Sequence, residues 1–468
     1  MHRLRIIGLL TLLVTIGLVA SLRPPLHAAA PASPPNIIFI LADDLGSAEL
    51  GCYGQQKIRT PNLDRLAAEG MKFTQFYAGN AVCAPSRCAL MTGKHPGHAT
   101  IRSNKAVLPE GQEPIAREDV TITELLKQRG YATGAMGKWG LGPMESTGDP
   151  LTHGFDLFFG YNCQAHAHDH YPTWLWRNHE KIPLDGKQFA LDLMEAEALK
   201  FVRANKDQPF FLYLPFIVPH VALQVPDDSL AEYAGQFPEV PYVGGKGYRP
   251  HPTPRAAYAA MITRLDRTVG RLMALVKELR LDQRTLVVFT SDNGPPQDAG
   301  GADSPFFESA GKLRGWKGEL YEGGIRTPFI ARWPGRVKPG TTSDLPAAFW
   351  DVMPTLCELA AAPTPKDTDG VSLVPTLLGR GEQRRHEFLY WEFPGYGGQQ
   401  AIRAGNWKAI RTGLARGPQP TQLYDLAADP SEQSDLAAQR PEVLARLEKL
   451  MAAQHTPSAL FPIRGLGD

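Results

Sequence analysis

The chain has 468 residues, 43% of them hydrophobic and 21% charged, with 49 Lys and Arg against 48 Asp and Glu for a formal net charge of +1. That length exceeds the size at which one hydrophobic core keeps growing, so a large domain with a smaller appendage is expected. The balanced charge gives no electrostatic ground for binding nucleic acid or an acidic membrane surface, and any selectivity for anions must be local.

His2, Arg3 and Arg5 precede an apolar run from Ile6 to Ala20, which Pro24, Pro25 and Ala28-Ala29-Ala30 follow. The pattern is that of a secretory signal over residues 1–30, cleaved near Ala30, since the run falls short of the roughly 20 residues a spanning helix needs. The mature chain is therefore expected to be exported, periplasmic or secreted, with no stable membrane anchor.

Ile37 to Leu41 reads as a buried strand, and Asp43-Asp44 follows it directly. Cys83-Ala84-Pro85-Ser86-Arg87 opens a predicted helix, with Pro85 suited to the first turn, and a helix N-terminus offers N–H groups to an anion. The other cysteines are Cys52, Cys88, Cys163 and Cys357; an odd count leaves at least one unpaired in an exported protein. Thr121-Ile122-Thr123-Glu124 has capping-box spacing and opens a helix that stops at Gly130, ahead of a strand from Tyr131 to Met136 and Lys138 in a glycine-rich loop.

Residues 140–186 and 226–254, rich in Gly and Pro, are expected to be substrate-facing loops. The first carries His166, His168, His170, Trp174 and Trp176. Phe210 to Leu214 and Leu286 to Thr290 are further buried strands, leading to Pro219-His220 and Asp292-Asn293-Gly294 respectively. Between them, Tyr258, Met261, Ile262, Leu265, Val269 and Leu272 mark one helix face. Lys317 lies in Gly315-Trp316-Lys317-Gly318, ahead of Glu322-Gly323-Gly324-Ile325-Arg326.

The alternation of strands and helices predicts an α/β sandwich around a mostly parallel sheet over residues 35–380. Short strands at Phe388 to Trp391, Ala401 to Arg403, Trp407 to Ile410 and Leu423 to Leu426, with a helix from Glu442 to Met451, predict a small α+β subdomain with an antiparallel sheet over residues 381–468.

The carboxyl ends of parallel strands are where ligands bind. Asp43, Asp44, Asp292 and Asn293 make an all-oxygen set suited to a hard cation, Ca²⁺ ahead of Mg²⁺; either pair alone reads equally well as a turn former. Arg87, Lys138 and Lys317 are candidates for an anion pocket, with His220 placed as a leaving-group acid. Each of these in isolation reads as a surface charge or a structural histidine.

Together Asp43-Asp44, the Cys83 motif with Thr92-Gly93, Gly137-Lys138-Trp139, Pro219-His220, Asp292-Asn293-Gly294, Lys317 and Glu322 to Arg326 resemble, in order, the signatures of the type I sulfatases. The likeness runs from Asn36 to about Glu432. It implies an alkaline-phosphatase-like fold, a large mixed sheet sandwiched by helices, and hydrolysis of a sulfate ester. It also implies that Cys83 is oxidised before folding to Cα-formylglycine (3-oxoalanine), by a formylglycine-generating or anaerobic sulfatase-maturating enzyme. By the same resemblance Asp43, Asp44, position 83, Asp292 and Asn293 would hold Ca²⁺, while Arg87, Lys138, His220 and Lys317 would contact the sulfate or its bridging oxygen.

A sulfated carbohydrate is the expected substrate, with aryl sulfates as surrogates. Two other readings stand beside it: a phosphodiester or phosphonate monoester hydrolase of the same superfamily, or, with Cys83 still a thiol, an inactive glycan-binding protein using Tyr171, Trp174 and Trp176. One departure stands out. Many sulfatases read Gly-Lys-Trp-His-Leu-Gly, and Gly140 replaces that histidine here. His166, His168 and His170 offer an imidazole from another direction, or form a solvated loop or an adventitious metal site.

Overall fold

Side chains of the central strands are buried on both faces, and this sets the layering of the molecule. The computed structural model describes residues 34–108, 111–245 and 247–468; the expected signal over residues 1–30 lies outside them. Among the described residues, β1 (Asn36–Ala42), β2 (Met71–Tyr77), β3 (Ala132–Lys138), β4 (Leu157–Tyr161), β5 (Trp174–Arg177), β6 (Glu180–Pro183), β7 (Phe210–Pro215), β8 (Thr285–Ser291), β9 (Arg326–Arg332), β10 (Thr341–Ser343) and β11 (Ala347–Ala348) join in one sheet. Its order is β10-β2-β9-β8-β1-β7-β3-β4-β5-β6, with β11 beside β2. β8, β1, β7, β3 and β4 run parallel, whereas β9 is antiparallel to both β8 and β2, and β5 and β6 are antiparallel. The sheet is therefore mixed and mostly parallel.

In β1, Ile38 and Ile40 belong to a core shared with the helices Ala190–Ala204 and Pro254–Glu278. Ile37, Phe39 and Leu41 belong to the opposite core, shared with Cys83–Thr92, Ile122–Lys127 and Val352–Leu359. A parallel sheet covered on both faces needs such unbroken apolar strands. The capping box forms as its spacing requires: the Thr121 hydroxyl accepts from the Glu124 N–H, and the Glu124 carboxylate accepts from the Thr121 N–H at 2.8 Å.

Residues 140–186 differ from the loop expected of them, contributing β4, β5 and β6. The reason lies in β3, whose free edge would otherwise carry unpaired backbone groups; Leu157-Phe158-Phe159-Gly160-Tyr161 supplies a short apolar run to pair with it. Residues 226–254 contribute, among the described residues, the short helix Asp227–Leu230, two isolated bridges and the first residue of the helix Pro254–Glu278.

A second, antiparallel sheet follows, ordered β12 (Leu389–Phe393), β13 (Gln399–Ala404), β14 (Trp407–Thr412) and β15 (Gln422–Asp425). Leu389, Trp391 and Phe393 face Tyr77, Leu320 and Trp350 of the larger unit, while Tyr390, Ile402 and Ala409 face Leu447 and Met451 of the helix Pro441–Gln454. Residues 34–468 form one compact unit. Among the described residues no helix is long and apolar enough to cross a membrane.

Strand direction positions the site. β1, β2, β3, β7 and β8 all end at the edge where β9 begins, so the segments following the five strands and preceding β9 converge there.

Candidate active site

All nine residues singled out from the sequence meet at that edge. Asp43 and Asp44 leave β1, Lys138 ends β3, His220 follows β7, Asp292 and Asn293 leave β8, Lys317 precedes β9, and Cys83 and Arg87 open the helix after β2. Arg87 is fully buried. Its guanidinium donates to Asp292 Oδ2 at 2.7 and 3.1 Å, to Asp43 Oδ2 at 3.3 Å and to the Lys138 carbonyl at 2.6 Å. Such a planar fork suits two carboxylates held side by side.

Lys138 Nζ pairs with Asp43, and Lys317 Nζ donates to Asp44 Oδ2 at 2.8 Å. The Cys83 thiol donates to Asp43 Oδ1 at 3.4 Å, and the Asp44 N–H donates to Asp292 Oδ1 at 3.1 Å. Three cations thus face three carboxylates, and a divalent cation added to that balanced set leaves it net positive toward an anionic substrate.

The electrostatics follow from burial and these pairs. Burial works to raise Asp43, but Lys138, His220 and Arg87 hold it well below the usual carboxylate range. Asp44 goes the other way, to about 6, because burial and the neighbouring Asp43 and Asp292 outweigh Lys317. Burial opposes charge on the two lysines, yet Asp43 keeps Lys138 and Asp44 keeps Lys317 above the ordinary lysine value. Burial and then Asp43 push the Cys83 thiol up to about 12, so as a thiol it stays protonated at neutral pH.

His220 is neutral. Burial first and Lys317 second drive its pKa well down. Its Nδ1 faces the Val221 carbonyl, which assigns the ring proton to Nδ1 and leaves Nε2 to accept from Lys317 Nζ at 3.0 Å.

The donor set fits a cation. Asn293 spends its Nδ2 on Asp44 Oδ1 at 2.8 Å and on the Gly294 carbonyl at 2.9 Å, while its Oδ1 is buried with no hydrogen-bond partner. A buried amide oxygen of that kind beside three carboxylates has the chemistry of a hard-metal ligand. Ligand atoms of Asp43, Asp44, Cys83 and His220 also lie within 4.8 Å of one another.

One expectation fails. The first turn of the Cys83 helix has little to offer an anion: the Ala84 N–H bonds Asn104 Oδ1 at 3.0 Å, Pro85 has none, and the Ser86 N–H bonds the Val82 carbonyl at 3.3 Å. Side-chain cations take over that work. The cysteines, all five among the described residues, are unbridged.

Gly140 has φ of +74°, and a Cβ there would fall 2.5 Å from Gln164 Nε2. Gln164 thus fills the space a larger residue at 140 would need. The three histidines of that loop part company. His168 stacks on His220, ring centroids 4.8 Å apart and planes at 11°; burial, then Lys138 and Lys317, lower it to about 4. His166 stacks on Trp174 at 4.0 Å, and His170 turns its Nε2 to the His220 carbonyl at 2.9 Å.

Lys181 Nζ sits 4.1 Å from the Trp174 ring centre and 5.0 Å from that of Trp176. With His166 also against Trp174, both indoles carry contacts within the protein while remaining partly exposed. Sequence reasoning overlooked Gln164 and Glu49. The latter is buried, accepts from Gly46, Tyr258 and Ser309, and is pushed by burial up to about 7. No local pattern marks either residue.

The family model described as Sulfatase matches residues 35–362, and one described as N-sulphoglucosamine sulphohydrolase, C-terminal, matches residues 315–456. Arylsulfatase A of Homo sapiens is 35% identical over 477 residues, covering 90% of this chain and 88% of that protein. N-acetylgalactosamine-6-O-sulfatase of Bacteroides thetaiotaomicron is 31% identical over 90% of this chain and 93% of its own. The crystal structure of Ps i-CgsB in complex with k-i-k-neocarrahexaose matches with a TM-score of 0.76 at 30% identity, over 90% of this chain and 93% of that one.

Proposed function

The chain belongs to the sulfatase family of sulfuric ester hydrolases, and from that premise we propose that it cleaves a carbohydrate sulfate ester with Cys83 converted to Cα-formylglycine beside a bound Ca²⁺. The carrying observation is the convergence on Cys83 of a carboxylate set with an unpartnered Asn293 Oδ1 and of two lysines. The buried thiol favours the same reading, since a protonated thiol is a poor nucleophile. Hydrated formylglycine supplies a geminal diol, one hydroxyl to attack sulfur and a second whose deprotonation returns the aldehyde and frees sulfate.

Asp43, Asp44, Asp292 and Asn293 would hold the cation, which supplies charge stabilisation to the sulfate oxygens and to position 83. Arg87 clamps Asp43 and Asp292 in place for it. Lys138 and Lys317 bind the sulfate oxygens electrostatically. Because His220 is neutral and accepts from Lys317, the proton that reaches the departing alcohol is the one shared between Nζ and Nε2. His168 brings to the pocket the imidazole that Gly140 lacks, and accepts a proton as sulfate leaves. Glycan-directed names among the relatives, N-acetylgalactosamine-6-O-sulfatase and the neocarrahexaose complex, support a sulfated sugar. Export and a maturation enzyme in the producing cell complete the reading.

The test is sulfate release from sulfated saccharides and an aryl sulfate, with the mass of the peptide containing Cys83 measured in parallel. The formylglycine mass, turnover lost to chelation and restored by Ca²⁺, and at most one sulfate transferred per chain by Cys83→Ser are expected. Steady turnover by Cys83→Ser would sink the mechanism. An aryl phosphodiester hydrolysed in preference would move the activity to the related phosphoryl class.

A further inference from the structure

Tyr396 occupies a position that neither backbone nor packing energy explains. It lies in Phe393-Pro394-Gly395-Tyr396-Gly397-Gly398, between β12 and β13, with φ of +49° and 72% of its surface exposed. Left-handed backbone disfavours any side chain with a Cβ, and in a run of glycines a bulky aromatic is the least suited residue. An exposed ring recovers little of that cost through burial. Strain that persists in this way points to use.

The ring is held on one side by neighbours and is otherwise exposed. It rests on Gly318, where a Cβ would come within 2.9 Å of its Cε1, and leans on Phe393 at 5.7 Å. Gly318 follows Lys317, whose Nζ reaches Asp44 and His220. The exposed ring therefore stands over the segment that carries that lysine. Tyr248 lies 5.5 Å from the His168 ring and 6.5 Å from the His220 ring. Two aromatic rings thus stand near the buried charges, Tyr248 beside His168 and Tyr396 over Gly318.

We propose that the exposed ring of Tyr396 is the surface on which the alcohol part of the substrate stacks, and that this part is a pyranose ring. The inference rests on the sulfatase reading and names which side chain selects the sugar. A pyranose presents one face of axial C–H groups and a rim of hydroxyls, which suits a rigid, amphipathic ring fixed beside an anion pocket.

The test compares wild type, Tyr396→Gly and Tyr396→Phe on a sulfated disaccharide and on a small alkyl sulfate with no ring. Tyr396→Gly is expected to raise KM for the disaccharide about tenfold with kcat unchanged, and Tyr396→Phe to stay within about twofold. KM for the alkyl sulfate and inhibition by inorganic sulfate should not move in either variant, and the Tm of Tyr396→Gly should rise as the strain is relieved. An unchanged disaccharide KM, weakened sulfate inhibition, or a lower Tm would overturn the proposal. Calorimetric titration of the disaccharide onto Cys83→Ala protein, with and without Tyr396→Gly, separates the two readings. Tyr396-dependent binding without sulfate release by wild type defeats the sulfatase mechanism alone; sulfate release with Tyr396-independent binding defeats this proposal alone.

Discussion

Single side chains in this site do their work through partners drawn from distant parts of the chain. Lys317 holds Asp44 and His220 at once, so the same ammonium neutralises a buried carboxylate and adds to the burial that keeps the imidazole uncharged. His168 lies flat on His220, and Lys138 and Lys317 both act on it, which makes it the second imidazole beside the lysines proposed to bind sulfate. His168→Ala should therefore lower kcat by about 10²–10⁴-fold, the usual worth of a positioned proton acceptor. Inorganic sulfate should still bind, and mass spectrometry should find protein carrying one sulfate under turnover; a variant that only loses sulfate affinity would show that the ring merely shapes the pocket. The cluster at 166–170 was visible in the sequence, but its members could not be ranked there. Which ring meets His220 is decided by how the loop after β4 folds against the segment after β7, and spacing along the chain carries no trace of that.

Whole elements set the frame in which those residues meet. The helix Ile122–Lys127 precedes β3 and so fixes the entry to the strand that ends at Lys138. Its capping box satisfies the Thr121 and Glu124 N–H groups, and the Thr121 hydroxyl also donates to the His153 carbonyl at 3.0 Å. Thr121→Ala should cost about 1 kcal/mol of stability, read as a shifted denaturant midpoint, with KM unchanged because the cap is remote from the pocket. A larger KM with an unchanged midpoint would contradict this account. Elements of this kind are legible from sequence, since capping spacing and unbroken apolar runs are local signals. β4, β5 and β6 were not legible, because they are four or five residues long within a stretch rich in glycine and proline, and β4 forms by pairing with the edge of β3 earlier in the chain.

At the scale of the molecule, the two sheets are tied by a buried cluster in which Lys408 on β14 reaches Glu322 at 3.0 Å and Glu432 at 2.9 Å. One lysine serves two carboxylates, and they divide. Burial works against both, but Lys408, Arg326 and Arg403 hold Glu322 down to about 2, whereas burial and the charge of Glu322 push Glu432 up to about 7. A folded-state value raised above the ordinary 4.5 means stability fully present below pH 4.5 and lost as pH rises through about 7. Glu432→Gln keeps an acceptor for the Glu322 N–H yet cannot ionise, so its thermal midpoint should gain on wild type between pH 5 and 8; parallel curves would refute the assignment. What the sequence determined by itself was the layering, the strands that end in acids, and the set of residues at the site, because hydrophobic period and motif chemistry are written locally. The tertiary structure alone decided that Arg87 clamps carboxylates, that Gln164 fills the space beside Gly140, that Lys181 lies over the two tryptophans and that Tyr396 stands exposed over Gly318. Those outcomes depend on strand order and packing between segments far apart in the chain, where no local pattern reaches.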